Sequence, residues 1–367
     1  MRPTLEVTDI VRAHGDEFRR ANGGILSASQ KRVLSAIERC RTSALGGHVE
    51  QCDRCGHQRI AYNSCGNRHC PKCQSLARAK WLDKRRSELL PVEYFHVVFT
   101  LPEPIGALAL QNKRVLYGIL FQAAAESLQS IAADPKRLGA KIGFFAILHT
   151  WGQTLTHHPH VHCVVPGGGL APDGRTWVRC RPKFFLPVRV LSRRFRTLFL
   201  QYLVRAHRSG QLRFFGELCG LKEATSFGLF VRRLRSKEWV VYSKPPFGGP
   251  ERVLDYLGRY THRIAISNQR LQALHSGTVT FAYKDYKQAS QAKAMTLSAI
   301  EFLRRLLLHV LPDGFQRIRY YGLLANRQRG EALALCRKLL NLPSPETLPK
   351  DFSHRERLRQ LIGRDIL

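Results

Sequence analysis

The chain has 367 residues, enough for two or three domains, and 44% of them are hydrophobic, which argues for a folded protein rather than a disordered arm. Lysine and arginine number 59 against 27 aspartate and glutamate, giving a net charge of +32. That is far more than solubility needs, and it is the electrostatic footprint of a polyanion binder, nucleic acid above all. No apolar run of about 18 residues predicts a membrane span, and the opening Met1-Arg2-Pro3-Thr4-Leu5-Glu6-Val7 lacks the apolar stretch of a signal peptide.

Along the chain, residues 28–45 read as a helix, with Ser27 or Ser29 as cap and Val33, Leu34 and Ile37 on one side. A cysteine-rich stretch follows. Six of the ten cysteines fall between Cys40 and Cys73, which suggests metal ligation rather than disulfides. Cys52-Asp53-Arg54-Cys55 and Cys70-Pro71-Lys72-Cys73 form two C-x2-C knuckles, expected to supply four thiolates to one structural zinc. Cys40, His48, Cys65 and His69 are interleaved with them and could complete a second site. The arginines and lysines around these knuckles, Arg54 and Lys72 among them, fit DNA binding. Residues 75–90 read as a basic helix closed by Pro91.

From Tyr94 the texture changes. Residues 94–101, 144–151, 161–165 and 239–242 have the composition of strands. Residues 106–133 and 190–208 read as helices, the second of them basic. Pro245 to Pro250 form a breaker, and residues 251–263 read as a helix with Val253, Leu254 and Leu257 on its apolar side. Residues 279–283 then read as strand, 296–311 as helix and 315–324 as a basic, aromatic strand. The pattern predicts an α+β protein with a mainly antiparallel central sheet flanked by helices. The expected divisions are a zinc-binding domain at 1–91, a main domain at 92–275 and a basic α/β extension at 276–367.

Two clusters carry the chemistry. On a strand, His160 and His162 point to one side, about 7 Å apart at the backbone, and can converge on a divalent metal. On a helix, Tyr256 and Tyr260 lie one turn apart on one face, ringed by Arg252, Arg259, His262 and Arg263. Two phenols so placed suit a phosphoryl-transfer site with a tyrosine nucleophile. Neither pair is specific alone.

Together with residues 148–153 and 160–169, the motif Tyr256-Leu257-Gly258-Arg259-Tyr260-Thr261-His262-Arg263 resembles the two-tyrosine HUH transposases of rolling-circle insertion sequences. The cysteine region is similar to their N-terminal zinc-binding domain, and the likeness runs from about residue 25 to about residue 330. The resemblance implies a single-strand DNA endonuclease and strand transferase acting on element ends and targets. In it, His160 and His162 hold Mg or Mn, and Tyr256 and Tyr260 attack DNA to leave a 5′-phosphotyrosine and a free 3′-hydroxyl. No nucleotide cofactor is then needed. A third metal ligand is usual in that fold. His149, Trp151 and Gln153 share one face of the preceding strand, and of these Gln153 is preferred, with His149 as its substitute. Arg259, Arg263 and Lys244 are expected to touch phosphate. A mobile element implies a bacterial cytoplasm, with the nucleoid as its working place.

The main rival is a zinc-ribbon nucleic-acid-binding protein without catalysis, which explains the charge and the cysteines but leaves the histidine and tyrosine pairs as coincidences. A zinc hydrolase or deaminase lacks its motif here, with no H-E-x-x-H and no H-x-E ahead of a P-C-x-x-C. An integrase using three carboxylates finds no acidic set that stands out. The sequence leaves open the oligomeric state and the number of zinc ions.

Overall fold

The computed structural model describes residues 5–86, 88–244, 252–253, 264–286, 288 and 290–343. These fall into two compact units that do not follow the linear divisions expected at 91 and 275. The first comprises residues 1–78, 151–157 and 262–313, and the second 79–150, 158–261 and 314–367.

The first unit begins with α1 (Val7–Asn22) and α2 (Ala28–Arg39). Ser27 caps α2, accepting from the Gln30 N–H while the Gln30 side chain bonds back to the Ser27 N–H. This reciprocal pair satisfies two amides that the first turn leaves open. The helix stops at Arg39, not at 45, because Cys40 turns extended. A hairpin of β1 (Gly47–Gln51) and β2 (Gln58–Tyr62) follows, most of its residues exposed, and then α3 (Gln74–Arg86).

Further along the chain, β9 (Leu271–His275), β10 (Thr278–Asp285) and β11 (Gln291–Ser298) form an antiparallel sheet that leads into α8 (Ala299–Leu308). Residues 296–298, expected as helix, belong to β11, and Ser298 caps α8 by accepting from the Glu301 N–H. Phe18, Leu34, Ile37, Phe281, Phe302 and Leu303 make the core of this unit, with Cys40 and Cys70 buried in it.

The second unit is built on a five-stranded sheet. Its strands are β3 (Tyr94–Thr100), β4 (Gly143–Trp151), β5 (His157–Pro166), β8 (Val241–Lys244) and β12 (Ile318–Gly322), in the order β12-β4-β5-β3-β8. The β3–β5, β3–β8 and β4–β12 pairings are antiparallel. The strand expected within a separate C-terminal extension is therefore an edge of the central sheet. The two faces differ in character, as alternation requires. On one face α5 (Lys113–Ala133), which follows α4 (Gly106–Gln111) along the chain, and α6 (Val188–Arg208) supply the helical layer. Phe195 of α6 meets Phe99 of β3 edge-on at 5.0 Å, and Arg319 of β12 lies 4.3 Å over the Phe121 ring of α5. On the other face Tyr94, Phe145, Ile147 and Val164 form an apolar cluster with Trp81. The Trp81 indole donates to the Tyr320 hydroxyl at 3.1 Å.

After β5 the chain forms β6 (Gly168–Leu170) and β7 (Trp177–Arg179), an antiparallel pair. Glycine is required there. A Cβ on Gly169 would lie 2.4 Å from the Lys141 carbonyl oxygen, and one on Gly168 2.5 Å from that of Val178. Two further α-helices are α7 (Ala224–Ser236) and α9 (Arg329–Leu339). Among the described residues, no helix is long and apolar enough to cross a membrane.

Candidate metal centres

Two groups of metal-ligating side chains stand out among the described residues, one in each unit. The first is Cys40, Cys65, Cys70 and Cys73. Cys40 comes from the end of α2, and Cys65, Cys70 and Cys73 from the loop before α3. The Cys70 N–H donates to the Asn67 carbonyl and the Cys73 N–H to that of Cys70, which curls the loop about its own thiols. The Sγ atoms of Cys40 and Cys73 are 3.5 Å apart, those of Cys65 and Cys73 3.6 Å, and those of Cys70 and Cys40 3.7 Å. A tetrahedron with Zn–S bonds of about 2.3 Å has S···S edges of about 3.8 Å. The set fits zinc closely. The neighbouring Cys65 and Cys73 push the Cys70 thiol well up, while hydrogen bonds from Cys65 and Cys70 hold Cys73 well down, as expected of crowded thiols sharing protons.

The grouping differs from the one the knuckles suggested. Cys70 and Cys73 keep their place, but Cys52 and Cys55 are exposed at the tip of the β1–β2 hairpin, and Cys40 and Cys65 stand in their stead. The hairpin explains the difference. The Cys52 N–H donates to the His57 carbonyl, and the Gly56 N–H to that of Cys52, closing a tight turn around the first knuckle. His48 lies on the exposed side of β1 beside Glu50, and His69 donates its backbone N–H to the Asn67 side chain. Neither joins the four thiols.

The second group is His149, His160 and His162, with one nitrogen of each within 4.8 Å of the others. His149 comes from β4 and the other two from β5. His149 and His162 are almost fully buried, and His160 is half-buried. The ring centroids of His149 and His162 are 4.4 Å apart, and those of His160 and His162 4.8 Å. His160 Nδ1 lies 2.7 Å from the His158 carbonyl oxygen. A carbonyl only accepts, so the proton sits on Nδ1 and the Nε2 lone pair is left for a cation. Burial pushes the His160 imidazole down to about 4, and burial together with His149 holds His162 well below the usual histidine range. Neutral imidazoles are the form that ligates.

A fourth histidine, which the sequence did not single out, completes the arrangement. In the β3–β5 register Val98 faces His162, so His96, two residues away, shares their side of the sheet. His96 Nε2 is 2.7 Å from His162 Nδ1, and the two rings stack at 6°. Lys244 pairs with His96 across β3 and β8, which sets the ammonium-bearing strand beside the histidines.

Comparison with known proteins decides the family. The family described as "Putative transposase" matches residues 143–331, and that described as "Transposase zinc-binding domain" matches residues 10–101. "Putative transposase y4qJ" of Sinorhizobium fredii is 60% identical over 365 residues, spanning 98% of this chain and 91% of that protein. "Transposase for insertion sequence element IS801" of Pseudomonas savastanoi pv. phaseolicola is 33% identical over 332 residues, spanning 89% of this chain and 78% of that protein. The chain belongs to the IS91/IS801 transposase family. No solved structure matches it.

In this transposase Gln153, preferred as third ligand, has its side chain engaged elsewhere. Its amide donates to the Tyr286 hydroxyl at 3.1 Å. The reason is local: β4 ends at Trp151, and the Gly152 N–H turns to the Thr156 carbonyl, so strand alternation stops before residue 153. His149, its substitute, is the residue brought to the pair. Tyr256, Tyr260, Arg259 and Arg263 lie outside the described residues. Of their segment Arg252 and Val253 are described, both helical. Val253 is fully buried in the cluster that holds Ile147 and Val164. Those two residues precede His149 and follow His162 by two positions, so they share the histidines' face of the sheet.

Proposed function

We propose that this transposase cuts and rejoins single-stranded DNA at the ends of its element by the two-tyrosine HUH route, moving the element by rolling-circle transposition. The observation that carries the reading is the burial of Val253 beside Ile147 and Val164, on the face that bears His149, His160 and His162. If the helix expected at 251–263 runs on from Val253, Tyr256 and Tyr260 would take its i+3 and i+7 positions, the same stripe as Val253.

His149, His160 and His162 would hold a divalent cation, Mg or Mn in this reading. When bound, the cation supplies charge neutralisation at the scissile phosphate and polarises it. The rest is the work of the chain. Phosphoryl transfer depends mainly on positioning and electrostatics. One tyrosine oxygen attacks the phosphorus and loses its proton. The bond from phosphorus to the 3′ oxygen breaks, and that oxygen takes up a proton as the free 3′-hydroxyl. The 5′-phosphotyrosine keeps the energy of the broken ester, so a later 3′-hydroxyl can displace the tyrosine without a nucleotide cofactor. A second tyrosine lets one strand stay attached while the next is cut. Lys244, Arg259 and Arg263 are the residues we assign to phosphate contacts. The four-thiol zinc site holds the N-terminal region that recognises the ends. The element's host is a bacterium, and the enzyme works in its cytoplasm at the nucleoid.

The test is cleavage of a labelled single-stranded oligonucleotide carrying the element's end, with Mn²⁺. His160→Ala is expected to lower the rate by about three orders of magnitude, because a lost ligand forfeits several kcal/mol of charge stabilisation. Gln153→Ala is expected to cut normally. Equal rates in all three proteins would refute the metal assignment.

His96 gives a finer prediction. If His162 ligates through Nε2, its Nδ1–H donates to His96 Nε2, which fixes the ring. His96→Leu is then expected to weaken Mn²⁺ binding about 10- to 100-fold, with His96→Gln recovering part of it. Electron paramagnetic resonance of free Mn²⁺ measures this without any turnover. Unchanged affinity in the leucine variant would show that His96 is only packed there.

A further inference from the structure

The side of the sheet away from the histidines carries a charge pattern that the cleavage site does not use. Helix α6 bears Arg189, Arg193, Arg194, Arg196, Arg205 and Arg208 without one carboxylate, and α7 bears Arg232, Arg233 and Arg235 likewise. The position of α6 is fixed by the β3 alternation. His96 and Val98 point to the histidine face, so Phe99 points away from it, and Phe99 is the ring that Phe195 of α6 meets. His207 of α6 stacks on Phe227 of α7 at 3.8 Å, which locks the two helices together.

Between them lies an open groove of about 550 Å³, lined by Leu200, Gln201, Val204, Arg205, Arg208, Ser209 and Arg235. Three guanidinium groups thus converge on one concavity. All three arginines are exposed, and among the described residues none of them pairs with a carboxylate. Arg194, about three turns back from Arg205 on α6, shows the contrast, since it does pair with Glu126. Like charges gathered without a counter-charge repel one another and destabilise the fold, unless an anion is the intended neighbour. Guanidinium forks match phosphate oxygens two at a time.

The geometry points to a second DNA-binding site: the α6–α7 groove grips the phosphodiester backbone of a DNA segment on the far side of the sheet from the histidines. The inference rests on the transposase reading and deepens it. A strand-transfer enzyme must manage a donor and a target together, and two basic faces separated by a sheet keep two polyanions from competing for one cradle. The charged groups lining the groove are guanidiniums, which match phosphate, so its grip is on backbone and is salt-dependent.

The experiment compares three full-length proteins: the wild type, Arg205→Gln, Arg208→Gln and Arg235→Gln combined, and the same three positions changed to Lys. Binding of an unrelated 30-base-pair duplex and of an unrelated 30-nucleotide single strand is titrated across salt concentrations. Single-strand cleavage of the element's end is measured in parallel. The Gln variant is expected to lose about tenfold or more in affinity for one of the two probes at low salt. Its salt slope should fall by about 0.9 per lost phosphate contact on duplex and about 0.7 on single strand. The Lys variant should recover most of the affinity, and cleavage should be unchanged. The probe that responds identifies the form of DNA held. Unchanged affinity and slope on both probes would overturn the inference. Cleavage falling in step with binding would overturn it too, because the groove would then belong to the path of the cut strand. A wild type that binds but never cuts would instead fail the cleavage reading and leave the binding comparison intact as a test of the groove.

Discussion

Cys40→Ser will cost the transposase one zinc per chain and the order of its N-terminal region, whereas Cys52→Ser with Cys55→Ser will cost neither. The four thiols of Cys40, Cys65, Cys70 and Cys73 are spaced as the corners of a zinc tetrahedron, and two of them are buried in the core made by α1, α2, α8 and the β9–β11 sheet. A structural zinc is worth about 10–16 kcal/mol in apparent binding free energy. Whole domains are stable by only about 5–15 kcal/mol. The zinc therefore decides whether this region folds, and a serine that cannot take its place as a thiolate loses more than any single core truncation would. Metal analysis of the purified variants gives the stoichiometry, and limited proteolysis within residues 5–78 reads the order. Zinc retained in Cys40→Ser, or lost in the Cys52/Cys55 double variant, would refute the ligand set.

The second large effect is chemical. Tyr256→Phe combined with Tyr260→Phe is expected to bring covalent capture of DNA to background while leaving DNA affinity and thermal stability near wild type. Phenylalanine keeps the ring and removes only the oxygen that must attack. Each single substitution should leave an adduct on the other tyrosine yet block transfer between two strands, because one attached strand must wait while the next is cut. A denaturing gel with labelled DNA separates these outcomes. Adducts persisting in the double variant would place the nucleophile elsewhere.

Much of this was legible before the fold. Strands at 94–101 and 144–151 were readable from their β-branched and aromatic content, and the burial of Phe95, Val97, Phe144 and Ile147 agrees with it. The His160–Val161–His162 alternation gave a shared face because period two survives any register. Four things were not legible. The sequence spacing of Cys52 and Cys55 matches a zinc knuckle, but a hairpin turn carries them away from the other pair, and Cys40 arrives only because α2 ends against that core. The compact Cys65, Cys70, Cys73 run was the available signal for the grouping seen in the fold. Gln153 and His149 share a face only on an unbroken strand, and the turn at Gly152 breaks it. His96 is one polar residue in an apolar strand, and only the β3–β5 register brings it to His162. The long-range pairing of β12 with β4 was likewise hidden, since nothing local at 318–322 says which sheet it joins.

The most direct measurement of the central claim is to incubate the wild-type protein with labelled single-stranded DNA of the element's end and Mn²⁺, then map the labelled peptide. The expected result is a protein–DNA adduct on Tyr256 or Tyr260 that vanishes when the metal is chelated. Tight, salt-sensitive binding without an adduct on any end sequence, or an adduct on another residue, would contradict it.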